Sequence, residues 1–173
     1  MFECIDKDKV RSFFDQLAPG WDEQLVIYPE KMERILDAAG IRPGCDVLDI
    51  ACGTGVMVGY YLGRGARHVT AVDFSGPMAS ICQAKYADDN RVEVLCADAE
   101  SCAFPRSYDA VMVFNAFPHF PDPQALVAHV GASVKPGGTL TVAHDLGRKK
   151  LDDHHSGVAS AVSHGMMHED DVS

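Results

Sequence analysis

The sequence predicts an α/β fold in which helices cover both faces of a doubly wound, mostly parallel sheet. Three observations carry this prediction. The 173 residues suit one domain with a sizeable core. Short β-branched apolar runs alternate with stretches of helical periodicity. Most of these runs are apolar on both faces, which is typical of parallel strands that are buried on both sides.

Two amphipathic helices are predicted before the first strand. In the first helix, apolar residues recur at i, i+3, i+4 and i+7, as Val10, Phe13, Phe14 and Leu17. Pro19 and Gly20 end this helix. The second helix begins at Pro29 and ends at Gly40, and its apolar face consists of Met32, Ile35, Leu36 and Ala39.

Five strands and their connecting helices are predicted after residue 45. The strands are 46–50, 68–72, 92–96, 109–114 and 139–143. The helices are 54–63, 75–87, which begins with the N-cap Ser75, and 121–134, which ends at the run KPGG. Helices between successive strands favour parallel crossover connections.

Composition and charge exclude several classes of function. The formal net charge of −10 and the pI of about 5.1 disfavour a nucleic-acid partner, because an acidic surface repels phosphates. The basic run 148–150 is interpreted as a solvated turn. No apolar stretch approaches the roughly 18 residues of a membrane span, so no membrane partner is expected.

The cysteines and the N-terminus indicate a cytoplasmic protein. The six cysteines form no CxxC pair and no disulfide framework, so reduced thiols are expected. The first ten residues are too charged for a signal peptide.

The loop in "VLDIACGTGVMVG" (47–59) is the leading candidate for a ligand site, because open parallel sheets bind ligands beyond the carboxyl ends of their strands. It does not fit a P-loop, since no lysine follows the glycines. It fits a dinucleotide fingerprint poorly, since Gly59 comes one residue late. Asp49 precedes the glycines, and a carboxylate there suits a cationic group on the ligand.

The motifs of this chain resemble those of class I S-adenosylmethionine-dependent methyltransferases of the small-molecule, UbiE-like group. "LDIACGTG" is similar to the family pattern D/E-x-G-x-G-x-G, with Ala51 in place of the first glycine. "VTAVDFSGPM", "VEVLCADAE", "YDAVMVFNAFPHFPD" and "VKPGGTLTV" resemble the later motifs in the family's order. The resemblance covers about residues 8–145. It implies a Rossmann-like fold, S-adenosylmethionine as cofactor and S-adenosylhomocysteine as product.

The resemblance also implies which residues bind the cofactor. Asp73 would bind the ribose hydroxyls, Asp98 would accept from the adenine amino group, and Ala99 would contribute a backbone N–H. Phe74 and Met78 would flank the adenine, and Asn115 and Ala116 would contact the methionine portion. The predicted cofactor-binding residues are Asp49, Ala51, Cys52, Gly53, Gly55, Asp73, Phe74, Met78, Asp98, Ala99, Asn115 and Ala116.

The predicted reaction is in-line transfer of a methyl group to a small-molecule acceptor that the sequence does not identify. His119 is the candidate base, although packing at the pocket is the alternative interpretation. Trp21, Tyr28 and His144 are assigned to the substrate side, the first two in a helical lid within residues 1–40. Competing hypotheses are a non-catalytic S-adenosylmethionine-binding module and, third, an NAD-dependent oxidoreductase. A homodimer is one option for assembly.

The chain divides into a cofactor-binding domain, 1–145, and an irregular His-rich segment of the same domain, 146–173. The polar end of the chain favours a fragment of a longer protein, with the C-terminal strands missing or truncated. The clustered histidines match no standard metal motif, so no metal ligands are assigned.

Overall fold

The computed structural model describes residues 5–145, so the His-rich segment and the basic run 148–150 lie outside the described residues. Within that range, five parallel strands form one sheet in the order β3-β2-β1-β4-β5. The strands are β1 (Asp46–Ile50), β2 (His68–Asp73), β3 (Val92–Cys96), β4 (Tyr108–Phe114) and β5 (Val134–Ala143). The predicted doubly wound, Rossmann-like α/β fold is confirmed.

Six α-helices connect or precede the strands in the described range. They are α1 (Lys7–Leu17), α2 (Trp21–Gln24), α3 (Pro29–Ala38), α4 (Val56–Gly63), α5 (Gly76–Lys85) and α6 (Pro123–Gly131). Short 3₁₀ turns lie at Ala18–Gly20 and Phe117–His119. No helix within residues 5–145 has both the length and the apolar composition that a membrane span requires.

Apolar side chains from alternate strand positions form two buried cores, one on each face of the sheet. Val47 and Met112 pack with α3 and α4, whereas Leu48 and Val111 pack with α6. All five residues of β1 are buried, as expected for the central strand of a sheet that is covered on both sides. The chain runs outward from β1 to β3 and then returns to β4, so order reverses between β1 and β4.

Three element boundaries differ from the sequence prediction for local reasons. Helix α4 begins at Val56 rather than residue 54, because Gly55 has the left-handed φ of +85°. Helix α6 spans Pro123–Gly131 rather than 121–134, since Asp122 caps its first turn by accepting from the backbone N–H of Ala125. Strand β5 begins at Val134 rather than at residue 139. Its pairing with β4 shifts in register between the pairs Tyr108–Val134 and Ala110–Thr139.

Candidate active site

A cavity of about 290 Å³ lies at the carboxyl ends of the strands. Its walls come from the residues that end β1, β2 and β4 and from the loops after β1 to β4. The N-terminal segment 7–24, which we call the lid, contributes Phe14, Trp21 and other side chains to the opposite wall. The cavity therefore occupies the crevice where open α/β sheets bind their ligands.

Most of the residues that the sequence singles out line this cavity. They are Trp21, Asp49, Ala51, Cys52, Gly53, Asp73, Phe74, Met78, Asp98, Ala99, Asn115, Ala116 and His119. Gly55, Tyr28 and His144 are not among the lining residues in the described part of the chain. Four separate loops thus contribute to one site, as the strand-end positions of these residues predict.

The three residues that do not line the cavity have other surroundings. Gly55 lies against α5, where an added Cβ would come 2.6 Å from the Sγ of Cys82. Tyr28 is 46% exposed, and the Nζ of Lys31 lies 4.4 Å from the centre of its ring. His144 is half-buried just beyond β5. The structure therefore gives Gly55 a packing position under the loop rather than one at the cavity wall.

Asp49 is a buried carboxyl group at the cavity wall, only 2% exposed. Its Oδ1 accepts a hydrogen bond of 3.2 Å from the hydroxyl of Tyr61. Its Oδ2 has no hydrogen-bond partner among residues 5–145. Burial raises the pKa of Asp49 to about 7, and the nearby Asp73 carboxylate adds to this effect, while the Tyr61 hydrogen bond opposes it. A cationic ligand group beside Oδ2 would therefore favour the ionised carboxylate.

The raised pKa of Asp49 predicts a specific pH dependence of stability. Between the ordinary pKa of 3.8 and about 7, the folded state holds a proton that the unfolded state releases, so stability falls as pH rises through this window. Asp49→Asn removes this loss, which is on the order of 4 kcal/mol. Urea unfolding of both proteins at about pH 5 and about pH 8 tests the prediction. A stability difference between the two proteins that is the same at both pH values would contradict it.

Asp73 ends β2 and organises the backbone of two neighbouring loops. Its Oδ2 accepts from the N–H of Gly53 at 2.8 Å, and its Oδ1 accepts from the N–H of Ser75 at 2.9 Å. Burial raises the pKa of this carboxyl group, although both backbone hydrogen bonds oppose that shift. Each carboxylate oxygen has further acceptor capacity, so Asp73 can also accept from ligand hydroxyl groups.

Asp98 follows β3 and binds the lid. The Nζ of Lys7 lies 2.7 Å from Oδ2 of Asp98 and also pairs with Glu100. Burial raises the pKa of Asp98, but hydrogen bonds from Lys7 and from the Glu100 backbone outweigh burial and hold the pKa below its ordinary value. Asp98 is therefore an ionised acceptor at the edge of the cavity.

Two more contacts connect the lid to the loops. The hydroxyl of Ser75 donates to Asp15 at 2.5 Å, and the hydroxyl of Thr54 donates to Asp22 at 2.6 Å. Asp22 also pairs with Lys85 of α5 at 2.6 Å. Together with the Lys7 contact, these bonds attach the lid to the loops after β1, β2 and β3.

Two cavity residues other than glycine adopt left-handed backbone conformations. Ala51 and Asn115, which follow β1 and β4, both have a φ of +54°. This region is unfavourable for residues with a Cβ, and such strain occurs often at functional sites. The side chain of Asn115 accepts from the N–H of Asp145 at 3.0 Å. The strand ends on either side of the reversal point therefore share the same sharp turn.

His119 lies against the aromatic part of the lid. Its ring contacts Phe14 edge-to-face at a centroid distance of 5.1 Å, and Phe14 contacts Trp21 in the same manner at 5.9 Å. Placement at the cavity wall is compatible with the predicted role as a base, and the ring contact is compatible with the packing interpretation.

Sequence reasoning missed several residues that shape this site. Lys7 and Asp22 read as exposed helix charges, and only the tertiary fold brings them to Asp98 and Thr54. Tyr61 reads as an apolar position of α4, since nothing in the sequence marks the position of its hydroxyl. The one available signal for these lid contacts was the set of polar residues in the helix 7–17, which alternate with its apolar stripe.

Comparison with known proteins agrees with this architecture. The model of a methyltransferase domain family matches residues 47–138. A demethylmenaquinone methyltransferase of Renibacterium salmoninarum is 32% identical over 147 residues, which cover 80% of this chain and 60% of that protein. A ubiquinone biosynthesis O-methyltransferase of Aeromonas salmonicida is 29% identical over 121 residues, or 68% of this chain and 50% of that protein. The chain thus spans between half and two thirds of these relatives.

A solved structure of a DhpI–SAH complex gives the same result at the level of the fold. It is 26% identical and superposes with a TM-score of 0.69, and the match covers 86% of this chain and 73% of that one. The family model matches more than half of the chain and includes the loop 49–55. The predicted resemblance is confirmed, and the chain belongs to the methyltransferase domain family.

Proposed function

We propose that this chain binds S-adenosylmethionine in the cavity and transfers its methyl group to a small-molecule acceptor. The observation that carries the proposal is Asp49, whose Oδ2 is buried at the cavity wall without a hydrogen-bond partner in residues 5–145. Leaving such an oxygen unpaired costs free energy, which an ammonium group of a ligand offsets. The methionine portion of the cofactor carries this group.

The other cavity residues fit the remaining parts of the cofactor. Asp73 accepts from the ribose hydroxyls, and Asp98 accepts from the adenine amino group with the Ala99 N–H beside it. Phe74 and Met78 flank the adenine. The loop after β1 and the residues Asn115 and Ala116 hold the methionine portion. This assignment is supported by the positions of all these residues along one cavity.

When bound, the cofactor supplies an electrophilic methyl group on a sulfonium sulfur. The chain then needs to align the acceptor with that group and exclude water, and positioning supplies much of the rate enhancement. Phe14, Trp21 and Phe120 form an apolar wall that suits this task. His119 is the residue best placed to accept a proton from an acceptor hydroxyl as the new bond forms.

We infer an aromatic hydroxyl compound as the acceptor class. Apart from Phe74, which is assigned to the adenine, five aromatic rings line the cavity, namely Phe13, Phe14, Trp21, Phe114 and Phe120. Flat aromatic ligands pack well against such walls. The names of the relatives, which refer to demethylmenaquinone and to ubiquinone biosynthesis, support the same class. The proposed setting is the cytoplasm, because the five described cysteines are free thiols. The net charge of −10 supports the absence of a nucleic-acid partner.

Two measurements test the proposed function in the purified chain. S-adenosylhomocysteine is expected to raise the Tm, whereas NAD is expected to leave it unchanged. Labelled methyl groups are expected to appear on dihydroxy-aromatic compounds rather than on aliphatic amines. Stabilisation by S-adenosylhomocysteine without methylation of any compound in a cell extract would instead favour a non-catalytic binding module. Stabilisation by NAD alone would exclude both functions.

A further inference from the structure

The carboxyl group of Asp49 is held from behind by a fully buried tyrosine. Tyr61 lies on α4 and is 0% exposed. Its hydroxyl donates to Oδ1 of Asp49. This is the one hydrogen bond that the side chain of Asp49 accepts within residues 5–145. Tyr61 itself is not among the residues that line the cavity. Tyr61 therefore contacts the cavity-lining residue Asp49 from the side of the core.

This hydrogen bond makes the two carboxylate oxygens of Asp49 different from each other. Oδ1 is fixed by Tyr61, and Oδ2 remains available to a ligand. A hydrogen bond to an ionised carboxylate also favours that ionised form. The other titratable groups that face Asp49 are the Asp73 carboxylate, the Cys52 thiol and the Tyr86 hydroxyl. Burial, and to a smaller extent the Asp73 carboxylate, oppose ionisation of Asp49, and the hydrogen bond from Tyr61 counteracts them.

We propose that Tyr61 is a positioning residue for the cofactor: its hydroxyl fixes Oδ1 of Asp49, so that the free oxygen meets the ammonium group of the ligand. This inference rests on the proposed function. It adds a residue that never touches the ligand and acts only through Asp49. Its effect must therefore be confined to ligands that carry the ammonium group.

The test is Tyr61→Phe, which keeps the buried ring and removes the hydroxyl. Calorimetry should show about a tenfold loss of affinity for S-adenosylhomocysteine near neutral pH. Affinity for 5′-methylthioadenosine, which lacks the amino-acid portion, should not change. The pH at which S-adenosylhomocysteine affinity reaches half its maximum should move upward, because Asp49 loses the bond that favours its ionised form.

Tyr108→Phe is the matched control. Tyr108 begins β4 and is also 0% exposed, and its hydroxyl donates to the Oγ1 of Thr70 on β2 at 3.0 Å. Tyr108 does not line the cavity in the described structure, so its substitution should leave both affinities and the pH profile unchanged. In an Asp49→Asn background, Tyr61→Phe should cost no further affinity, because the carboxylate on which it acts is gone.

Incorporation of 3-fluorotyrosine keeps the proposal testable if Tyr61→Phe does not fold. Placed at position 61 alone, the fluorinated hydroxyl is a stronger donor, so the half-maximal pH should move downward. Equal losses of affinity for both ligands, or an unmoved pH profile, would overturn the positioning role. Failure of the wild-type protein to bind S-adenosylhomocysteine at any pH would count against the proposed function instead.

Discussion

Asp73→Ala is expected to abolish the thermal stabilisation by S-adenosylhomocysteine and to weaken its binding about 100-fold. The substitution removes the proposed acceptor for the ribose hydroxyls. It also releases the N–H groups of Gly53 and Ser75, which this carboxylate holds in place on two adjacent loops. Both effects act on the same ligand, and calorimetric titration of the variant measures their combined size.

Asp109→Ala separates this result from a general loss of stability. Asp109 likewise accepts a backbone N–H across strands, from Asp46 at 2.8 Å, and pairs with Lys135. It lies near the amino end of β4, away from the cavity. This variant should unfold more easily in urea yet bind S-adenosylhomocysteine with wild-type affinity. Undiminished binding by Asp73→Ala would refute the ribose assignment.

Gly55→Ala is expected to reduce the free energy of unfolding by about 3 kcal/mol. The φ of +85° disfavours any residue with a Cβ. The added methyl group would also lie 2.6 Å from the Sγ of Cys82 and 2.9 Å from the ring of Tyr86. Cys82 is fully buried, so the surrounding core has little room to yield. Equilibrium unfolding in urea measures the loss.

Gly137→Ala provides the comparison, because it isolates the backbone contribution. Gly137 has a φ of +77°, and nothing lies within 4 Å of the position that its Cβ would take. Its loss should be about 1 kcal/mol, which represents the conformational cost alone. Equal losses in both variants would show that packing against α5 contributes nothing at Gly55.

The fold and the loops that line the cavity could be predicted from the sequence because their signals are local. Strand β1 is a continuous buried apolar run, and Ser75 caps α5 through its own side chain. Acidic residues at the ends of successive parallel strands must meet at one edge of the sheet, whatever the details of packing. For this reason Asp49, Asp73 and Asp98 could be placed together in advance.

The remaining features depend on contacts between distant parts of the chain. Lys7 is 91 residues away from Asp98, and no periodicity connects them. The family pattern assigns Gly55 to the cofactor, whereas its closest neighbour is Cys82. Cys82 lies on α5, and both α4 and β2 separate it from Gly55 in the sequence. In each case side-chain packing determines the position, and a sequence pattern does not encode it.

The attachment of the lid at three loops has a consequence for the way in which this segment opens. Lys7, Asp15 and Asp22 each bind a different loop, so releasing one of them leaves the segment held by the other two. Opening must then be cooperative, with all three contacts broken in a single event. Amide protons throughout residues 7–24 should therefore exchange with solvent at one common rate.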